Sequence, residues 1–262
     1  MSDPVLLSLD NGIAELRLNR PDASNGLDVT LLKALHGALM SCHANPDVRV
    51  VLFTGAGKNF CAGGDVKDFA SKGEALPDYL REATSWLGIC TQALISLPAP
   101  VVTLVQGFAA GGGGIGLVCA SDIVIAAESA RFLSGATRVG MAPDGGSTVT
   151  LAQLIGHRKA MEFVLTNPVY TATEALDAGL VTKVVPAERL AEEGEALARE
   201  LAAGPSLALA ATKRLMWDGL GRSVEEALPD ESRTVSALSG THDALEGLAA
   251  VIEKRAPNYE GR

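Results

Sequence analysis

Aromatic side chains are scarce in this chain of 262 residues, at 4%, which argues against the stacking platforms that hold single-stranded nucleic acids. Basic residues are outnumbered as well: 22 Lys and Arg against 31 Asp and Glu leave a net charge of −9, the wrong sign for a general binder of nucleic-acid backbones. The four cysteines, Cys42, Cys61, Cys90 and Cys119, contain no C-x-x-C pair and have no cluster of histidines beside them, so neither a disulfide framework nor a metal site is expected. No apolar run reaches the roughly 18 residues of a membrane span, and the N-terminal stretch MSDPVLLSLDNG has no basic region ahead of an apolar one. The expected setting is a reduced cytoplasm, with neither nucleic acid nor membrane as a partner.

What the chain has in quantity is aliphatic side chains and glycine: 47% of residues are hydrophobic and 28 are Gly. That is enough to bury a sizeable core. The most informative stretch runs from Pro100 to Asp122, PVVTLVQGFAAGGGGIGLVCASD. Val101 to Val105 is a β-branched run suited to a buried strand, and Gly111 to Gly114 open a short apolar helix before a further strand from Ile123 to Ala126. Glycines at a helix start let a ligand approach the backbone, whose unpaired N–H groups and dipole favour an anion. The anion is either a phosphate or an oxyanion that exists only during a reaction. Gly111, Gly113 and Gly116 also match the dinucleotide fingerprint G-x-G-x-x-G, with Glu128 after the next strand. Against that reading, Gln106 to Ala110 separate strand from glycines and the helix is very short. Glycines placed only for close helix packing are the bland alternative.

A second unit of the same kind precedes it. Val48 to Thr54 reads as a buried strand, and Asn59 to Lys67, NFCAGGDVK, as a glycine turn feeding a helix, with Asp65 most simply an N-cap. The two units could face one site from two sides. Around them the chain predicts a hairpin over Val5 to Leu18 with one wet face, a helix after Asp28, and a helix over Leu80 to Ile95. Arg131 to Gly140 reads as irregular, followed by the turn Pro143-Asp144-Gly145-Gly146 and helices to about Ile155 and from Gly156 to Thr166. Thr171 to Glu174 has capping-box spacing before a helix that Gly179 stops, and Val181 to Val185 reads as a strand. From Glu188 onward strands disappear and Ala, Leu, Glu and Arg dominate. This divides the chain into a core over 1–186 and a helical region over 187–262, whose apolar content suggests an oligomer.

The paired glycine turns, with Asn19-Arg20-Pro21 and Asn25, Phe60 to Lys67, Gly107 to Asp122, Pro143 to Gly146, Ala175 to Val181 and Glu253-Lys254-Arg255, resemble the enoyl-CoA hydratase/isomerase (crotonase) family over nearly the whole chain. The resemblance implies an α/β fold, a crotonase-like spiral of ββα units with a C-terminal helical region for trimerisation, assembled as a homotrimer or hexamer. It implies an acyl-CoA thioester substrate and no separate cofactor, coenzyme A entering as part of the substrate. One N–H from each glycine turn would grip the thioester oxygen: Gly64 and Gly113, with Gly112 as the alternative to Gly113. Ala62, Asp65, Val66 and Lys67 would line the CoA site, and Lys67 and Lys254 would meet its phosphates.

The chemistry supports two such donors independently, because a proton beside a thioester carbonyl is only weakly acidic until the enolate oxygen is stabilised. The two glutamates that the family uses for hydration fall at Gly116, or Ile115 with a one-residue shift, and at Ala136. None of these can transfer a proton. Asp144 stands where the family's isomerases carry a carboxylate, although Pro-Asp-Gly-Gly is also a favourable turn in which Asp144 would cap the next helix. The expected reaction is a 1,3-proton shift with Asp144 as base, its pKa raised by burial.

Overall fold

The computed structural model describes residues 3–262. Its strands are β1 (Val5–Asp10), β2 (Ile13–Leu18), β3 (Val50–Gly55), β4 (Val101–Val105), β5 (Phe108–Ala110), β6 (Ile123–Ala127), β7 (Arg131–Leu133), β8 (Tyr170–Thr171) and β9 (Lys183–Val185). The helices are α1 (Val29–Ala44), α2 (Val66–Ser71), α3 (Leu76–Ser96), α4 (Gly111–Cys119), α5 (Ser147–Ile155), α6 (His157–Thr166), α7 (Ala172–Ala178), α8 (Leu190–Ala202), α9 (Ser206–Gly219), α10 (Val224–Leu238) and α11 (His242–Glu253).

The main sheet has the order β1-β2-β3-β4-β6-β9, antiparallel at the first pair and parallel thereafter. Two successive positive φ angles at Asn11 and Gly12 (48° and 80°) close the hairpin, the geometry that matches strand twist. The central parallel strands β3, β4 and β6 are buried on both faces, as their continuous apolar runs require. Val51, Phe53, Val101, Val105, Val124 and Ala126 face the main core, while Val50, Leu52, Val102, Leu104, Ile125 and Ala127 face a smaller cluster closed by Leu190, Ala198 and Ala202 of α8. A second sheet, β5-β7-β8, begins where Gln106-Gly107 leave β4.

Three expectations need correction. Arg131 to Gly140 is not irregular: it contains β7, paired with β5 through Phe108↔Arg131 and Ala110↔Leu133, and a 3₁₀ turn over Ala136–Val139. The short edge-like strands of a small sheet carry too few residues to show a period. Helix α3 starts at Leu76 rather than Leu80, with Pro77 and Asp78 in its first turn, positions where both residues favour a helix start. The last strand is shorter than Val181 to Val185, because the N–H groups of Leu180 and Val181 turn back to Ala175 O (2.8 and 3.3 Å) after the left-handed Gly179.

The first helix of the C-terminal half-tail to leave the sheet, α9, is pinned to the core by charge. Lys213 Nζ, buried, donates to Leu94 O (2.9 Å) and Ala99 O (3.2 Å) and pairs with Asp122 Oδ2 (2.8 Å). Asp122 also accepts from Val101 N (2.7 Å) and Trp217 Nε1 (2.8 Å). Every polar atom in this knot has a partner, which is the condition for burying charge. Among the described residues no helix is long and apolar enough to cross a membrane.

Candidate active site

The first glycine turn is built as a short strand pairing. Leu27 N donates to Gly63 O (2.7 Å), Asp65 N to Leu27 O (3.0 Å) and Ala62 N to Ser24 O (3.0 Å). Gly64 falls between these bonds, and its N–H has no hydrogen-bond partner among the described residues. Asp65 caps α2, its side chain accepting from Asp68 N (3.1 Å), and pairs with Arg20 (3.1 Å). It is thus the N-cap that its sequence position suggests. Ala62, Val66 and Lys67 are exposed, and a Cβ at Gly64 would overlap the ring of Phe69.

The second turn lies directly against the first. Phe60 N donates to Gln106 O (2.9 Å), Cys61 N to Phe108 O (3.0 Å) and Ala110 N to Cys61 O (2.9 Å). Gly63 (φ 88°) and Gly111 (φ 68°) touch backbone to backbone: a Cβ on Gly111 would stand 2.9 Å from Gly63 Cα and 3.6 Å from Gly64 N. Only glycine tolerates both that approach and that φ. Helix α4 then starts after Ala110, which supplies no capping side chain, so the N–H groups of Gly112 and Gly113 in its first turn have no intrahelical acceptor. The five residues that separate β4 from the glycines are in part β5, a strand of the second sheet.

Asp144 meets this helix start. A Cβ at Gly112 would overlap Asp144 Oδ1 and lie 2.7 Å from Asp144 N; the carboxylate occupies the space that the missing side chain leaves. It does not cap α5. Gly146 is the N-cap residue without a side-chain bond, and it is the Asp144 backbone carbonyl that accepts from Ser147 N (3.1 Å) and Ser147 Oγ (2.7 Å). Among the described residues no other residue donates to the Asp144 carboxylate, and burial pushes its pKa above the usual carboxylate value. Leu27 and Leu87 wall the same space: a Cβ at Gly113 would lie 2.5 Å from Leu27 Cδ1 and 3.3 Å from Leu87 Cδ2, and one at Gly145 3.2 Å from Leu87 Cδ2.

The positions of the two family glutamates are occupied in other ways. A Cβ at Gly116 would be 2.7 Å from Gly145 O, so the backbone of the Asp144 turn fills the room that a side chain there would need. Ile115 is buried in the main core, and Ala136 is buried at the head of the 3₁₀ turn. No acid stands at any of the three.

Lys254 terminates α11 in the left-handed region (φ 55°) with an exposed side chain, and no hydrogen bond or ion pair joins it to the glycine turns. Two supporting residues were not given a role by the sequence. Thr91 Oγ reaches Gly145 O (3.3 Å) from a buried position on α3. Its signal was a polar residue in register with Leu87 and Leu94 on the apolar stripe of the helix. Asn25, fully buried, stands in a polar loop with no apolar period, and its one signal was its place among the residues that carry the resemblance.

A family model described as enoyl-CoA hydratase/isomerase matches residues 8–262. The chain is 37% identical over 254 residues to a protein named probable enoyl-CoA hydratase from Rhodobacter capsulatus, covering 97% of this chain and 96% of that one. It is 33% identical over 265 residues to the 1,2-epoxyphenylacetyl-CoA isomerase of Escherichia coli, with full coverage of both (100% and 100%). Among solved structures, an enoyl-CoA hydratase from Bacillus anthracis superposes with a TM-score of 0.93 at 34% identity, covering 99% of this chain and 100% of that one.

Proposed function

The chain belongs to the enoyl-CoA hydratase/isomerase family of acyl-CoA enzymes, and from that premise we propose that it moves the double bond of an enoyl-CoA by a single-base 1,3-proton shift. The observation that carries this reading is the Asp144 carboxylate, half-buried, free of donors from other residues and seated against Gly112, where Gly116 leaves no room for a second acid. The Asp144 carboxylate removes a C2 proton from a 3-enoyl-CoA. The C–H electron pair becomes the C1=C2 bond of an enolate, whose oxygen accepts from the N–H of Gly64 and of Gly113 or Gly112. As the enolate forms, the carbonyl π pair moves onto that oxygen; it then re-forms C1=O, the C1=C2 pair shifts to C2=C3, and the former C3=C4 electrons take the proton back from Asp144 at C4. One carboxylate suffices when the proton leaves and returns on one face.

In this reading coenzyme A arrives as part of the substrate and no separate cofactor takes part. Lys67, exposed on α2 beside Val66 and Asp65, is the phosphate contact within reach of the first turn; Lys254 would serve only if an arrangement beyond this one chain brings it there. We read the protein as a cytoplasmic homotrimer or hexamer, and the exposed aliphatic side chains of α11 support the assembly.

The test is product analysis with 3-hexenoyl-CoA and, separately, 2-hexenoyl-CoA. The wild type converts the 3-enoyl substrate, and Asp144→Asn lowers kcat by about 10²–10⁴-fold, the usual contribution of a positioned base. Rapid hydration of the 2-enoyl substrate would overturn the isomerase reading in favour of the activity in the name of the Rhodobacter relative. Turnover of a ring epoxide alone would move it to that of the E. coli one.

A further inference from the structure

The geometry points to Asn25 as the positioning residue for the Gly64 donor. The hydrogen bonds of the Asn25 side chain all go to backbone atoms. It is fully buried (0% exposed) and held at φ 53°, a conformation that asparagine and glycine tolerate best. Its Nδ2 lies 3.0 Å from Ala56 O, 2.9 Å from Asn59 O and 2.9 Å from Phe60 O, while its Oδ1 accepts from Arg20 N (2.9 Å). Two amide protons serve three carbonyls, so one is shared.

Those carbonyls belong to the segment that leads into the first glycine turn. Around it, the backbone on either side of Asn25 carries the pairing that leaves Gly64 N–H unpaired: Ala62 to Ser24, and Leu27 with Gly63 and Asp65. The same segment is tied to the second turn through Asn59, whose Oδ1 accepts from Phe108 N (3.0 Å) and whose Nδ2 donates to Ser24 Oγ (3.0 Å). One buried amide therefore fixes how the entry to the first turn sits over residues 24–27, and with it where the Gly64 N–H points. An aspartate of the same shape would present acceptors to three carbonyls, repelling the segment instead of holding it.

This inference rests on Gly64 being an oxyanion donor, and the experiment separates the two. The probe is hexanoyl-CoA labelled with ¹³C at the thioester carbonyl, which binds without reacting, and the readout is the carbonyl stretching frequency of the bound form. In the wild type the band moves to lower frequency on binding. In Asn25→Asp and Asn25→Gly, the second keeping the backbone angle without strain, most of that shift is lost, while thermal unfolding stays cooperative. With 3-hexenoyl-CoA, kcat falls about 10²–10³-fold, the effect of losing one oxyanion donor, with a much smaller change in KM. Variants that fold and keep the full shift would overturn the role of Asn25 alone. So would failure of both to fold, since the amide would then be holding the domain rather than the donor. A wild type that binds the probe with no shift would refute the oxyanion reading and this inference with it.

Discussion

At the scale of single residues, a missing side chain matters as much as any that is present. Gly112 lacks the Cβ that would overlap Asp144 Oδ1 and lie 2.7 Å from Asp144 N, so Gly112→Ala is expected to push the carboxylate, and the backbone of its turn, out of place. Alanine is otherwise the better helix former; the variant should therefore stay folded by circular dichroism while isomerase turnover collapses, and unchanged turnover would place the base elsewhere. Asp144 itself should trade stability for activity. Burial raises its folded pKa above the unfolded carboxylate value, so its stabilising contribution is present below that unfolded value, about pH 4, and is lost as pH rises through the folded one. At neutral pH the ionised group costs stability. Asp144→Asn should raise the Tm at pH 7 relative to wild type and make little difference below about pH 4, and the acid limb of the pH–kcat/KM profile should report the raised pKa.

Among elements, the local signals were legible where a cap or a period carried them. Asp28 caps α1 through Leu31 N (2.7 Å), Asp65 caps α2, and Thr171 with Glu174 forms the capping box of α7. These depend on residues three apart, which sequence displays directly. Strands β5 and β7, three residues each, exist only because a partner lies beside them. The docking of α9 was equally hidden, since it depends on Lys213 reaching Asp122 from a distant part of the chain. Lys213→Met should keep the apolar stem but leave the buried end of Asp122 short of a partner, at a cost near the lower end of the about 3–5 kcal/mol for breaking a buried pair. Val101 N and Trp217 still donate to that carboxylate. Urea denaturation checks this, and the double variant Lys213→Met with Asp122→Asn should recover part of the loss.

For the whole molecule, the helical region leaves aliphatic side chains in the open. Leu245, Leu248, Val251 and Ile252 on α11 are all more than half exposed, Ile252 at 79%, and contiguous exposed aliphatics of this kind mark an interface. Sedimentation should give three or six times the 27.0 kDa of one chain. Leu248→Asp with Ile252→Asp should dissociate the assembly, whereas a wild-type monomer would sink the trimer reading. An assembled form is also where a contact between the exposed Lys254 and a bound substrate would be sought.

What near neighbours and residue type govern was legible in the sequence: the buried parallel strands, the two glycine turns and the caps, each following from spacing within a few residues. The lack of an acid at Gly116, Ile115 and Ala136 and the candidacy of Asp144 came from the resemblance to the family, which says which positions to look at. The packing of distant segments set the rest: the turns touch at Gly63 and Gly111, Asp144 lies in the gap at Gly112 instead of capping α5, and Gly145 fills the place beside Gly116. These are distances between segments far apart in the chain. They are set by how the sheets and α4 pack, and no local pattern encodes them.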